Sequence, residues 1–163
     1  MVDSTETSTL TQFLGRYGSL STPLVPNRNF SIGSRSASVR VSFDLLALDG
    51  LEGSGQFEDF ANFIFSSGTS TETIRLSFGS NVDEGSQQGT SDVGTISWSF
   101  TSGQQQNFGF QSDNDQVHSF VVIIPGNFIS ANVLNVEFLF ETTGGGFSES
   151  FGIDNIRVSE CVV

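Results

Sequence analysis

The stretch Ser148-Glu149-Ser150-Phe151-Gly152-Ile153-Asp154-Asn155-Ile156-Arg157-Val158 decides how the rest of the chain is read. Its apolar residues, with no helical spacing, predict a buried strand. An Asp-Asn pair is set into it. An ionised carboxylate between Ile153 and Ile156 is costly unless something pairs with it. Arg157 is close in sequence, but in a regular strand it alternates to the other face. A bound cation satisfies Asp154 more simply. The expectation is a β protein whose last strand sits in the core and touches a cation.

Working outward, the same period of two recurs along the chain. Val39, Val41, Phe43 and Leu45 alternate with Arg40, Ser42 and Asp44; Ile74, Leu76 and Phe78 alternate with Thr73, Arg75 and Ser77. Ile96, Trp98 and Phe100 repeat the pattern, as do Leu134, Val136, Phe138 and Phe140. Each reads as a strand with one wet and one dry face. The run 117–124 is more continuous, which predicts cover on both sides, and Pro125-Gly126-Asn127 ends it with turn chemistry. Further strands are expected at 11–16, 60–65, 105–110 and 151–158. Residues 79–93 and Gly144-Gly145-Gly146 read as flexible connections. Roughly nine or ten short strands without helices imply an all-β fold of two packed antiparallel sheets. Residues 1–9 read as a polar tail and 10–163 as a single β-sandwich domain. Phe43, Trp98, Phe138 and Ile153 are expected in the core.

Charge narrows the function. The 163 residues carry a formal net charge of -12, and all six basic residues are Arg. Such a surface repels phosphate backbones, so the expectation is no nucleic acid. It also repels anionic membranes, and no apolar run is long enough for membrane insertion. It suits divalent cations. The aromatic set is 17 Phe with one Trp and one Tyr. Phe fills core volume without needing a polar partner, whereas sugar-binding faces usually show several Trp or Tyr. Cys161 is the single cysteine, so it forms no internal disulfide.

The richest acidic segment is Asp49-Gly50-Leu51-Glu52-Gly53-Ser54-Gly55-Gln56-Phe57-Glu58-Asp59. Calcium takes six to eight oxygens, often from carboxylates and loop carbonyls, and the glycines let this loop fold back on itself. A solvated acidic turn is the other reading, since the spacing is no EF-hand. Asp44 reads as half of a surface ion pair with Arg40. Glu149 reads as a rim carboxylate, and Glu84 and Asp113-Asn114-Asp115 as solvated loop residues, with a second, weak cation site as the other reading.

Phe13-Leu14-Gly15-Arg16-Tyr17-Gly18, Val39-Arg40-Val41-Ser42-Phe43-Asp44-Leu45, Asp49-Gly50-Leu51-Glu52-Gly53, Asp59 and the closing Glu149-Ser150-Phe151-Gly152-Ile153-Asp154-Asn155-Ile156 follow one another in an order that resembles a jelly-roll module of secreted and surface proteins. The closing strand is similar to the Ile-Asp-Asp/Asn-Val ending of jelly-roll carbohydrate-binding modules and MAM domains. Leu51 stands where the module's pattern has Trp, Glu52 where it has Asp, and Ser148 where it has Asp. The resemblance implies a two-sheet antiparallel jelly roll. It also implies a structural calcium ion on Asp49, Glu52, Asp59 and Asp154, tying an early loop to the final strand.

Catalytic chemistry is thinly supplied. His118 is the only histidine and lies in an apolar strand. No Gly-x-Ser-x-Gly elbow accompanies it, and zinc lacks a His/Cys cluster. Glu137 and Glu141 share a strand face but lie roughly 13 Å apart, too far for most carboxylate pairs. The expectation is therefore no enzyme. It is a non-catalytic extracellular or cell-surface binding or adhesion module, a domain of a longer secreted protein. Its partner is a glycan or a surface or matrix protein. A self-associating, homo-oligomeric coat or matrix subunit and a glycoside hydrolase-like enzyme are the alternatives.

Overall fold

The structure is a computed structural model, and it describes residues 2–3, 13–17, 27–51, 53, 58–79, 85–105, 107–108, 115–143 and 149–162. Its strands are β1 (Val2–Asp3), β2 (Phe13–Tyr17), β3 (Asn27–Ser31), β4 (Ser36–Asp49), β5 (Phe60–Ser67), β6 (Ser70–Ser77), β7 (Ser86–Thr90), β8 (Ser97–Ser102), β9 (Gln116–Pro125), β10 (Val133–Glu141) and β11 (Glu149–Val162). One 3-10 turn, Gly126–Phe128, follows β9. No helix among the described residues is long and apolar enough to cross a membrane.

The strands form two antiparallel sheets. The larger runs β1-β2-β11-β4-β9-β8-β7, the smaller β3-β10-β5-β6. The connectivity is a jelly roll. The chain passes from sheet to sheet as it goes from β2 to β3, β4 and β5, then again along β9, β10 and β11. β2 pairs with β11 and β3 with β10, so the two halves of the chain wrap around each other. The β7–β8 hairpin is inserted between the halves and widens the larger sheet beyond β9.

Alternation explains the core. Phe43 and Phe120 face inward from the larger sheet, Phe63 and Phe138 from the smaller. The Phe43 ring lies 4.9 Å from Phe63 and 5.0 Å from Phe138, both edge-on, and stacks on Phe120 at 5.0 Å. Edge-to-face contacts of this kind add to the area that the rings bury. Phe140 continues the layer, stacked on Phe151 at 5.0 Å and on Tyr17 at 5.7 Å. Phe43, Phe138 and Ile153 are buried as expected.

Several expectations are corrected. Trp98 is only half-buried, because β8 lies in a sheet wider than its partner and the smaller sheet covers its inner face incompletely. The run 117–124 alternates instead of being covered on both faces: Phe120, Val122 and Ile124 point inward, while Ile123 is exposed. Within 79–93, read as a loop, lies β7, and β3 was not expected at all. Residues 105 and 107–108 are not in a strand, and the rest of the strand expected at 105–110 lies outside the described residues, as do Gly144–146. In the stretch read as a tail, Val2–Asp3 pairs with β2. Gly126 follows the Pro125 stop for a steric reason: a Cβ there would lie 2.2 Å from the Ser36 carbonyl oxygen.

Candidate functional site

The Asp-Asn pair sits at a β-bulge. Asp154 pairs with Asp44 and Arg157 with Ser42, so three steps on β11 match two on β4. Asn155 absorbs the extra step at φ +53°, a left-handed conformation that Asn tolerates better than most residues. The consequence corrects the alternation. Ile153 and Ile156 both pack on the core, while Asp154 and Arg157 share the solvent side. Asp154 is half-buried, and Arg157 is exposed. The predicted cost of a carboxylate sealed between two isoleucines is not incurred.

Register places Asp44 and Asp154 directly opposite each other, a like-charge pair that destabilises a ladder when nothing offsets it. Asn155 offsets it. Its backbone N–H donates to Asp154 Oδ1 at 2.7 Å, and its side-chain Nδ2 donates to Asp44 Oδ2 at 2.7 Å. The Ser119 hydroxyl donates to the other oxygen of Asp44 at 2.7 Å. Asp44 is thus held by Ser119 and Asn155, not by Arg40 as the alternation suggested. Ser42, Asp44, Ser119, Val121, Asn155 and Arg157 line a shallow depression on the solvent face of the larger sheet. A second depression adjoins it at Val121 and Ile123, floored by Ser97 and Ser99 and bounded by Gln88 and Thr90. The pairing aligns these residues in rows across β11, β4, β9, β8 and β7: Arg157, Ser42, Val121, Ser99 and Gln88 form one, and Ser159, Arg40, Ile123, Ser97 and Thr90 the next. The serines in both rows leave low ground between the longer side chains, and the two depressions meet at Val121 to form a shallow trough.

Another group of acidic residues gathers at one end of the sandwich. Asp49 closes β4 opposite Glu149, and Asp59 precedes β5. Both are buried, as is Asp115, which the sequence reading left as a solvated loop residue. Asp115 accepts the Asp49 N–H at 2.7 Å with one oxygen and the Phe108 N–H at 2.7 Å with the other. Asp59 accepts the Thr143 N–H at 2.8 Å. These carboxylates hold backbone amides from distant segments. Asp115 also fixes Phe108 over Leu46, Leu48 and Val117, a small apolar cluster on the outer face of the larger sheet.

The four residues expected to share one calcium ion are not brought together as a set. Asp154 pairs with Asp44, five residues along β4 from Asp49, roughly 17 Å at the rise of a strand. Glu52, Glu84, Asp113 and Asn114 lie outside the described residues. Among the described residues no group of three or more His, Cys, Asp or Glu side chains is placed to hold a metal. A single ion spanning Asp49 and Asp154 does not fit this register.

The remaining candidates have structural partners. His118 is fully buried, with Nδ1 hydrogen-bonded to Ser102 Oγ at 2.8 Å and its ring 4.6 Å from that of Phe78. Glu141 pairs with Arg75 at 3.1 Å and accepts from Asn62 Nδ2 at 2.8 Å. Glu72, which the sequence reading passed over, is buried on β6 and accepts the Ser91 hydroxyl and the N–H groups of Thr95 and Ile96. Burial alone would raise its pKa. The hydrogen bonds from Ser91, Thr95 and Ile96 outweigh burial and hold it below the usual carboxylate range. Asp92 adds a second tie. Its N–H donates to the Thr73 carbonyl and its Oδ1 accepts the Thr73 N–H, both at 2.9 Å. Together they fasten the β7–β8 turn to the free edge of the smaller sheet. Compared with models of known families and with curated proteins, the chain matches none.

Proposed function

We propose that this chain is a non-catalytic binding module of an extracellular or cell-surface protein, and that it takes an extended glycan along the trough on the larger sheet. The observation that carries this reading is the Asp44–Asn155–Ser119 network. It holds two carboxylates in fixed orientations on an otherwise open face, and fixed acceptors suit hydroxyl-rich ligands. Both oxygens of Asp44 are occupied by structural donors. That suits an acceptor held in place better than a group that must exchange a proton. The test is affinity electrophoresis through gels cast with soluble polysaccharides. At least one polysaccharide should retard the protein, and Asp44→Ala should remove the retardation without unfolding the chain. No retardation across the panel sinks the glycan reading; polysaccharide cleavage sinks the non-catalytic one.

A structural calcium ion remains a proposal confined to the acidic end, where Asp49 and Asp59 flank the loop that carries Glu52. Ion binding to the native state alone raises the melting temperature. Calcium should raise Tm relative to chelator, and Asp154→Ala should leave that shift intact. If Asp154→Ala abolishes it, the ion sits on the solvent face instead.

A further inference from the structure

The trough carries a charge anomaly. In a chain of net charge -12, two arginines stand as diagonal neighbours on the same face: Arg157 lines the first depression, and Arg40 lies one row further along. Arg40 lies between the buried Val39 and Val41, and Arg157 between the core-packed Ile156 and Val158, so both project to solvent on one face. Arg40 is paired with Ser159 and Arg157 with Ser42. That makes the two arginines diagonal neighbours, about 7–8 Å apart. Both are exposed, and neither has an ion-pair or ring partner among the described residues. Two of the other arginines are engaged. Arg75 lies 3.6 Å over the Phe60 ring and pairs with Glu141, and Arg28 lies 5.3 Å over Phe30.

Two adjacent guanidinium groups repel each other, and folding gains nothing visible from placing them together. Asp44, the other diagonal neighbour of Arg157, keeps its charge but is bonded to Ser119 and Asn155, and Asp154 to the Asn155 N–H, so neither carboxylate forms an ion pair with either arginine. What the pair matches is an anion supplied from outside. Guanidinium forks fit planar carboxylates in two-point contacts. The trough continues from the pair across β9 and β8, over Val121, Ile123, Ser97 and Ser99, which gives a chain with repeated anionic groups a path away from them.

We propose that Arg40 and Arg157 bind the carboxylates of an acidic polysaccharide lying across the larger sheet. This rests on the glycan reading above and adds the class of glycan. Polygalacturonate and its fully methyl-esterified form share a backbone and differ in charge, so they are the probes. Titration calorimetry at low salt should show binding of polygalacturonate at least tenfold tighter than of the ester. The difference should collapse as salt is raised through 0.1 M and above, where charges about 10 Å apart are screened. R40Q/R157Q should lose at least tenfold for polygalacturonate. R35Q, which removes one exposed positive charge elsewhere, should change binding less than twofold.

Circular dichroism confirms that the variants stay folded. Equal binding of both probes, or full polygalacturonate binding by R40Q/R157Q, overturns the anionic assignment while leaving the glycan reading in place. Binding of neither probe, with some neutral polysaccharide retained in gels, does the same. If no polysaccharide binds and light scattering shows a dimer that R40Q/R157Q dissociates, the face belongs to a second copy and both readings fall.

Discussion

The acidic end of the sandwich and the solvent face of the larger sheet carry the same residue type in opposite circumstances. At the end, Asp59 and Asp115 are buried and accept backbone amides from segments far apart in sequence. On the face, Asp44 and Asp154 are half-buried, and their hydrogen bonds come from the Ser119 and Asn155 side chains and from the adjacent Asn155 amide. A carboxylate that holds distant backbone is part of the fold. A carboxylate held in place by short side chains on an open surface remains available to a ligand. The difference predicts that changes at the end cost stability and changes on the face cost binding.

The reference for stability is the core beneath both regions. Phe138→Ala should cost about 3–5 kcal/mol, since its ring meets Phe43 and Phe63 between the sheets. The denaturation midpoint should drop with an unchanged slope. A midpoint near that of the unaltered protein would mean that this face of β10 does not lie in the core.

Asp115→Ala comes next, at about 2–4 kcal/mol. It strands the N–H groups of Asp49 and Phe108 in a buried setting, and each unsatisfied group costs on the order of 1–3 kcal/mol. Proteolysis in the segment around Phe108 should also speed up, because Asp115 is what holds it over Leu46 and Leu48. A loss below about 1 kcal/mol, no larger than for Asp44→Ala, would erase the distinction between end and face.

Glu72 belongs with the buried group, and pH reads it out. Its folded pKa lies below the unfolded value, so its contribution is complete above the ordinary carboxylate range. That contribution is lost as pH falls through the range towards the lowered folded value. Urea midpoints measured from neutral pH to below about pH 4 should fall more steeply for the unaltered protein than for Glu72→Gln. Parallel curves would mean that the turn is not held by the ionised carboxylate.

Much of the sandwich was legible because alternation is a local signal. The inward Phe residues of β4 and β10 announced themselves. β7 did not, because Ser86-Gln87-Gln88-Gly89-Thr90 has no apolar residue to alternate. Its Gly89 is needed where the Trp98 ring passes, since a Cβ there would lie 2.7 Å from that ring. The site was legible by residue and not by place. Asp154-Asn155 stood out, yet pairing it with Asp49 required the register of β11 on β4, which depends on a bulge no pattern in the chain displays. Asp115 was misread for a related reason: its role comes from two amides, one 66 residues away, and nothing in its own neighbourhood points to them.

The bulge itself yields the smallest and sharpest effect. Asn155 has two duties, a left-handed backbone and a side-chain bond to Asp44, and two substitutions separate them. Asn155→Gly keeps the backbone at ease, because glycine adopts positive φ without a steric penalty, but it deletes the bond. Asn155→Ala deletes the bond and also places a Cβ where the left-handed conformation disfavours one, at about 1 kcal/mol more. The glycine variant should therefore melt within a degree or two of the unaltered protein, and the alanine variant lower. Both should lose polysaccharide retardation, because Asp44 is then free to turn away from its place opposite Asp154. If the glycine variant binds as well as the unaltered protein, the Asn155 side chain serves only to ease the like-charge pair. The orientation of Asp44 would then have to be ascribed to Ser119 alone, which Ser119→Ala would show by abolishing binding by itself.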